Sequence, residues 1–503
     1  MILKLSGDIN RYYVQTLCMV FFPGATFGEN ELPASGVPEV SVDVYYDEEG
    51  NCIANCSMKL NDRLCSSSAK VMSNEITHIA TKPSVAVGRA MFEAGKQLLG
   101  HIPPWGILTG VRPAKMASKL LLNGLGVMKS KRVLRDEYFL NAQKASLAVS
   151  VANTEMKLLK KMDKNTCSLY ISIPFCPTRC SYCSFVAYTT PKLLSLIDEY
   201  IDALIEELDE KIEVINRLGL TLSTVYIGGG TPTTLDPIQL NKLLEAVSSK
   251  VDVSTLSEFT LEAGRPDTIT SEKLAVAKKY GVTRISVNPQ TLNDDILKDI
   301  GRKHSSEDFF KAYEIAKNSG IRDINVDLIA GLPGDDFKSF SETVDGILSL
   351  APTNITVHTF CVKKASDALK NNSEIYSLTG GDAAKCVFYS QLQTKLAGYK
   401  PYYMYRQKNT VGNLENVGYA QEGHEGLYNI YMMEEVHSIF AIGAGAVSKL
   451  VDYDRKNEGN TRIERVFNPK YPYEYLRAMK EKKDGTSDKA SLIDTALKFF
   501  NIQ

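Results

Sequence analysis

The sequence contains no long run of apolar residues and no excess of charge of either sign. No stretch reaches the roughly 18 uninterrupted apolar residues of a membrane-spanning helix, so none is predicted. The 58 basic and 59 acidic residues leave a net charge of −1, so no global electrostatic attraction to nucleic acid or to a membrane is expected. The first residues lack a charged segment followed by an apolar one, so no signal peptide is expected either.

Cysteine is also scarce, with 10 in 503 residues. That density excludes a disulfide-bonded scaffold and favours a cytoplasmic chain with reduced thiols. The composition is otherwise globular, 44% hydrophobic and 23% charged, which excludes a wholly disordered, collagen-like or coiled-coil protein. At roughly 150 residues per domain, the length predicts about three domains.

The middle of the chain alternates predicted strands with helical patterns. The six predicted strands are 168–175, 221–228, 258–263, 283–288, 324–329 and 354–360. Such alternation predicts a parallel α/β sheet. Six units within 166–400 predict a partial (β/α)6 barrel, although a doubly wound sheet has the same local pattern. Residues 1–165 are expected to form a separate α+β domain, and residues 401–503 a mostly helical C-terminal domain.

Three cysteines, Cys176, Cys180 and Cys183, directly follow the first strand of this middle region. In barrel folds the active site forms in the loops after the strands. Thiolate-only ligation favours zinc or an iron–sulfur cluster. A structural zinc site needs a fourth ligand, which is not apparent nearby, whereas a [4Fe–4S] cluster on three cysteines leaves one iron open to a small molecule. Three structural thiols, or a zinc site completed from elsewhere, remain the alternatives.

Glycines and polar residues stand at the ends of the later predicted strands. Gly228, Gly229 and Gly230 allow backbone amides to approach a ligand closely. A carboxylate at Glu262, near the end of the third strand, could accept hydrogen bonds from ribose hydroxyls. The remaining candidates in chain order are Thr231, Gln290, Arg302 and Asp327.

The string YISIPFCPTRCSYCSF, followed by GGGTPT, resembles the radical S-adenosylmethionine (SAM) enzymes, and within them the oxygen-independent coproporphyrinogen III oxidase group. The resemblance covers about 168–450. It implies a [4Fe–4S] cluster on Cys176, Cys180 and Cys183, with SAM on the open iron and an electron donor such as flavodoxin or ferredoxin. It also implies two SAM molecules. The first would contact Tyr170, Gly229, Glu262 and Val447, and the second Gly230, Thr231, Gln290, Arg302, Asp327 and the Cys361 backbone.

Two departures from the family patterns bear on the reaction. The coproporphyrinogen oxidase branch carries a fourth cysteine where this chain has Phe185. The heme-chaperone branch carries a His-Asn-x-x-Tyr-Trp motif, whose nearest match, residues 415–420, lacks the histidine and the tryptophan. The long N-terminal extension, PWGILTGVRP within 103–113 and YRQKNTVGNLENVGYA (405–420) resemble a third, HemZ-type branch.

The leading hypothesis is therefore oxidative decarboxylation of coproporphyrinogen III to protoporphyrinogen IX. The alternatives are radical heme methyl transfer with ring opening, and a heme-binding chaperone. Nucleic acid is not an expected partner. His358 ends the sixth strand, where a catalytic role and a place in a polar network are equally supported. Tyr402, Tyr403 and Tyr405 could form a wall against a tetrapyrrole, but core packing is the default expectation.

Overall fold

The computed structural model describes residues 1–28, 36–110, 112–183, 187–361, 381–407, 410–453, 461–486 and 492–501. Phe185, which distinguishes the family branches, lies outside these ranges. None of the described helices combines the length and the apolar character needed to cross a bilayer.

The N-terminal part is a four-stranded sheet with helices packed against it. The strands are β1 (Ile2–Ser6), β2 (Glu39–Tyr46), β3 (Cys52–Leu60) and β4 (Arg63–Val71), adjacent in that order, with only the β1–β2 pair parallel. The helices are α1 (Arg11–Phe21), α2 (Lys82–Leu99), α3 (Pro113–Leu122), α4 (Val127–Asp136) and α5 (Ala142–Leu159). Helix α2 lies against β3 and β4 and covers the buried face of the sheet.

Six parallel strands form the partial barrel, which confirms the predicted fold class. They are β5 (Thr166–Ile173), β6 (Thr221–Gly229), β7 (Glu258–Leu261), β8 (Arg284–Ser286), β9 (Asp323–Ala330) and β10 (Asn354–Thr359), each paired with the next. The connecting helices are α6 (Pro191–Leu194), α7 (Ile197–Arg217), α8 (Pro237–Lys250), α9 (Ser271–Lys279), α10 (Asp294–Asp299), α11 (Ser306–Asn318) and α12 (Phe337–Leu350). Because the strands are parallel, the loops after them meet along one edge of the sheet.

The C-terminal part extends the same sheet on both sides. Its strands are β11 (Lys400–Arg406), β12 (Glu415–Ala420), β13 (Ile439–Ile442), β14 (Val447–Asp452) and β15 (Arg462–Phe467), and its helices α13 (Gly381–Leu396), α14 (Leu427–Glu434), α15 (Pro472–Lys483) and α16 (Leu492–Phe500). Strand β12 pairs antiparallel with β10, and β13 pairs parallel with β5. The sequence predicts a mostly helical domain here, and the structure shows these strands in addition to the helices. Strand β12 lacks the usual alternation of buried and exposed residues, because all six of its residues are buried.

Candidate active site at the C-terminal edge of the barrel

The cysteine loop follows β5 and is anchored on both sides. The Cys176 amide donates to the Tyr188 carbonyl (3.1 Å), and the Ser181 amide donates to the Ile300 carbonyl (3.0 Å). Cys176 and Cys180 are each only 8% exposed, and Cys183 is half-buried. The loop therefore holds three thiols in one short, anchored segment at the edge of the sheet.

Two of the predicted residues, Gly230 and Thr231, lie against the Cys176 sulfur. Thr231 Oγ1 lies 3.3 Å from Cys176 Sγ. A Cβ at position 230 would lie 3.0 Å from that sulfur and 2.6 Å from the Phe175 carbonyl oxygen, so this position requires glycine. Burial raises the pKa of the Cys176 thiol to about 11, although the Thr231 hydrogen bond opposes the shift. A bound metal would have to stabilise the thiolate here.

The donor set fits an iron–sulfur cluster better than a single metal ion. A single zinc ion would need four ligands around one point. In a [4Fe–4S] cluster each cysteine binds a different iron, so the sulfurs need not converge in this way. Three thiols on one loop, two of them buried, match that requirement.

Glu262 is partly buried among tyrosine rings next to the glycine turn after β6, a site called here the Glu262 pocket. Its Oε1 accepts a hydrogen bond from the Tyr226 hydroxyl, and a Cβ at Gly228 would lie 2.8 Å from its Oε2. Gly229 has a φ of +113°, which favours glycine. Burial raises the pKa of Glu262 to about 7, against the opposing hydrogen bonds from Tyr226 and the Gly229 backbone. The Tyr170 ring stacks on Tyr226 at 6.1 Å, so Tyr170, Gly229 and Glu262 lie together, and their contact with one ligand stays a prediction.

Sequence reasoning missed two of the tyrosines in this pocket. The Tyr428 ring, on α14, lies 4.5 Å from the Tyr226 ring and 6.2 Å from the Tyr170 ring. Tyr226 lies two residues before the predicted glycine turn and could have been suggested by its position. Tyr428 comes from a distant helix, and no local spacing pattern indicates it.

Of the second group of predicted residues, Gln290 and Asp327 lie together, because the Gln290 amide donates to the Asp327 carbonyl at 3.1 Å, whereas Gly230 and Thr231 lie against Cys176. Asn288 Nδ2 and Asn325 Nδ2 donate to the Asp327 carboxylate at 2.9 and 2.7 Å. Burial alone would raise its pKa, but the neighbouring His358 and then the hydrogen bond from Asn325 hold the pKa of Asp327 below its ordinary value. Gln290 has a φ of +72°, and among the described residues its buried Oε1 has no hydrogen-bond partner. A non-glycine residue in this conformation and an orphaned buried oxygen are typical of a ligand site.

Arg302 is buried but its donors are already engaged. Its Nη2 donates to the Tyr182 hydroxyl (2.8 Å), and its Nη1 donates to the carbonyls of Asn288 (3.0 Å) and Gly264 (3.2 Å). Tyr182 lies between the second and third cysteines of the loop. In the structure Arg302 therefore stabilises the cysteine loop through Tyr182. Its contact with SAM stays a prediction.

Two predicted residues lie on opposite flanks of the six parallel strands. Cys361 follows β10 and bridges Thr410, while Val447 begins β14 on the far side of β5. His358 belongs to the second group, because its Nε2 lies 3.7 Å from Asp327 Oδ2 and its Nδ1 lies 3.3 Å from the Tyr405 hydroxyl. Tyr402 and Tyr403 pack into a buried cluster, as the default expectation had it, and Tyr405 is partly buried against them.

Residues 170–347 match the radical SAM superfamily. The chain is 40% identical over 380 residues to the oxygen-independent coproporphyrinogen-III oxidase-like protein HemZ of Bacillus subtilis, covering 75% of each protein. It is 40% identical over 198 residues to the heme chaperone HemW of the same organism, which covers 39% of this chain and 51% of HemW. An anaerobic coproporphyrinogen III oxidase of Cereibacter sphaeroides is 28% identical over 243 residues, 48% of this chain and 53% of that protein.

Among solved structures, the coproporphyrinogen III oxidase HemN of Escherichia coli aligns with a TM-score of 0.48 and 20% identity, over 66% of this chain and 72% of HemN. The superfamily match spans the cysteine loop, the Glu262 pocket and Asp327. A [4Fe–4S] cluster and SAM are the cofactors of that superfamily. The chain belongs to the radical SAM superfamily and, within it, to the family of the oxygen-independent coproporphyrinogen-III oxidase-like protein HemZ.

Proposed function

We propose that the protein decarboxylates two propionate side chains of coproporphyrinogen III to vinyl groups, which gives protoporphyrinogen IX. One observation carries this proposal. The cysteine loop after β5, the Glu262 pocket beside β6 and β7, and the Asp327 group on β8 to β10 follow one another along one edge of the sheet. The similarity to HemZ and to an anaerobic coproporphyrinogen III oxidase supports the choice of substrate class.

Each part of this edge would have a distinct task. Cys176, Cys180 and Cys183 would hold the cluster. When bound, the cluster and SAM supply the 5′-deoxyadenosyl radical that abstracts hydrogen. Glu262 would accept hydrogen bonds from ribose hydroxyls, and its raised pKa would fall as those donors stabilise the carboxylate. The stacked ring of Tyr170 would shield that ligand from water.

The Asp327 group would bind either a second SAM molecule or one edge of the tetrapyrrole substrate. The unpartnered Oε1 of Gln290 would accept a hydrogen bond, and the carboxylate of Asp327 would remain ionised at neutral pH because its pKa is lowered. Each round removes one hydrogen atom and CO₂ from a propionate and passes one electron to an acceptor. A small redox protein such as flavodoxin or ferredoxin would supply the electron that reduces the cluster.

An anaerobic turnover assay tests the proposal. The reconstituted protein, SAM and a reductant are incubated with coproporphyrinogen III, and methionine, CO₂ and vinyl products are measured. From the wild-type protein we expect vinyl products and release of CO₂. In Cys180→Ala we expect the loss of both the vinyl products and the iron signal. SAM cleavage without any vinyl product would overturn the decarboxylation. A Cys180→Ala variant that retains a full cluster would overturn the ligand assignment.

The heme chaperone HemW is a named relative and gives a second candidate function. The segment that resembles the chaperone motif forms β12, whose six residues are all buried. Its Glu415 is hydrogen-bonded to Lys144 and Trp105, so it is not free to bind heme iron. The same assay with heme separates the candidates. Heme binding without SAM cleavage would favour the chaperone, and a linear tetrapyrrole product would favour ring opening.

A further inference from the structure

Arg265 is a buried guanidinium in direct contact with the cysteine loop. It follows β7 and is 3% exposed. Its Nη1 lies 3.6 Å from the Cys180 sulfur and 3.2 Å from the Thr178 carbonyl oxygen. On its other side, Nε and Nη2 donate to the two carboxylate oxygens of Asp267 at 3.0 and 3.1 Å. The bidentate pair with Asp267 therefore fixes the guanidinium against the sulfur.

This contact has a specific consequence for an iron–sulfur cluster. Guanidinium stays protonated at any physiological pH, so its charge is permanent. In a buried site a charge acts through a low dielectric and is felt strongly at short range. Hydrogen bonds to cluster sulfurs and the local net charge are main determinants of the reduction potential. Reduction adds an electron to the cluster, so a positive donor at Cys180 favours the reduced form.

We propose that Arg265, held by Asp267, is a positioning residue that raises the reduction potential of the cluster through its contact with the Cys180 sulfur. The neighbouring guanidinium of Arg302 differs, because its hydrogen bonds go to the Tyr182 hydroxyl and to carbonyl oxygens. Removing Arg265, unlike removing Arg302, therefore changes the hydrogen bonding of the Cys180 sulfur. Its carboxylate partner makes an opposing contribution, because Asp267 partly neutralises the positive charge.

The test is an EPR-monitored redox titration of the reconstituted protein without tetrapyrrole. In Arg265→Gln we expect a more negative midpoint, equivalent to about a tenfold lower equilibrium constant for reduction, or about 59 mV for one electron. In Asp267→Asn the guanidinium loses its counter-charge, so we expect a shift to a more positive midpoint. Arg265→Lys keeps the charge and should lie between wild type and Arg265→Gln. Lys303→Gln removes an exposed cation and serves as the control without a shift.

The two opposite shifts separate an electrostatic role from a structural one. A loss of packing alone would move both variants in the same direction or lower the iron content of both. Equal midpoints at full iron content, or shifts of the same sign, would overturn the proposal. If Arg265→Gln does not retain iron, Asp267→Asn decides, and a midpoint that does not become more positive overturns it. Because no tetrapyrrole is present, the outcome is independent of the proposed decarboxylation.

Discussion

The two flanks of the barrel are both extended by C-terminal strands, yet they are secured in different ways. Beyond β10, Glu415 of β12 forms a buried ion pair with Lys144 of α5 at 2.5 Å. Beyond β5, Glu207 of α7 forms a buried ion pair with Lys211 at 2.9 Å. The first pair joins residues 271 positions apart, and the second joins neighbours on one helix. The N-terminal part of the chain is therefore built into the β10 flank.

The hydrogen bonding of the two carboxylates also differs. Besides Lys144, Glu415 accepts from the Trp105 indole at 2.9 Å. Besides Lys211, Glu207 accepts from the Gly443 amide (2.8 Å), the Tyr475 hydroxyl (2.8 Å) and the Asn468 amide (2.9 Å). The β10 flank thus depends more on a single lysine, whereas on the β5 flank several neutral donors share the stabilisation of the carboxylate.

Removing the lysine of each pair exposes this difference, and the larger effect is expected on the β10 flank. In Lys144→Met the Glu415 carboxylate keeps only one neutral donor in a buried site, so we expect a loss of about 3–5 kcal/mol in the free energy of unfolding. Denaturant unfolding measures it. The partly exposed pair of Arg89 and Glu75 gives a control within the N-terminal part, and Glu75→Gln should cost no more than about 1 kcal/mol. Equal losses in both variants would contradict a structural role for the buried pair.

On the β5 flank, Lys211→Met should be milder. Three neutral donors remain on Glu207, so we expect a loss of roughly 1–3 kcal/mol, below that of Lys144→Met in the same assay. A larger loss than in Lys144→Met would invert the comparison between the flanks. It would show that the lysine charge matters more than the number of remaining hydrogen bonds.

A third buried carboxyl, Glu155 of α5, gives the β10 flank a pH dependence of its own. Both Glu155 oxygens are buried and without a hydrogen-bond partner there. Burial, and then the charge of Glu434, raise the pKa of Glu155 above its ordinary 4.5. The folded state therefore binds this proton more tightly, and the associated stability is fully present below pH 4.5 and is lost as the pH rises through the raised pKa.

Glu155→Gln should remove this dependence. We expect the variant to gain stability relative to wild type as the pH rises from 5 to 8, by about 1–2 kcal/mol at the upper end, because the amide at position 155 cannot ionise. Melting temperatures across that range measure the difference. A constant difference between the two proteins over the whole range would contradict the assignment.

The contrast between local pattern and contacts across distant segments also explains what the sequence could predict. Most of the barrel strands are short, largely apolar runs with a glycine or proline soon after them, so the local pattern predicts them, and their shared edge brings Tyr170, Gly229 and Glu262 together. Strand β12 was missed because its polar residues Glu415 and Asn416 are buried. The hydrogen-bond partners of Glu415 lie in the N-terminal part, and those of Asn416 lie on the neighbouring strands β10 and β11. Arg265 and Tyr428 were missed for the same reason. Their importance arises from contacts between distant segments, which no local spacing records.

The smallest expected effects concern how each flank holds the strand that leads into the site. On the β10 flank, the Thr359 hydroxyl donates to the Glu415 carbonyl at 2.7 Å, two residues before Cys361. On the β5 flank, the Ser172 hydroxyl donates to the Ala444 carbonyl at 2.9 Å, four residues before Cys176. Removing either hydroxyl should cost only about 1 kcal/mol of stability.

The two substitutions should nevertheless differ at the site. Ser172→Ala lies next to the cysteine loop, so we expect faster iron loss on dilution, by a few-fold, as followed by the cluster absorbance. Thr359→Val lies next to the Cys361 segment, so we expect unchanged iron retention and a few-fold lower ratio of vinyl product to SAM cleaved. Iron loss in Thr359→Val equal to that in Ser172→Ala would contradict the division of tasks, because it would mean that both flanks stabilise the cluster loop alike.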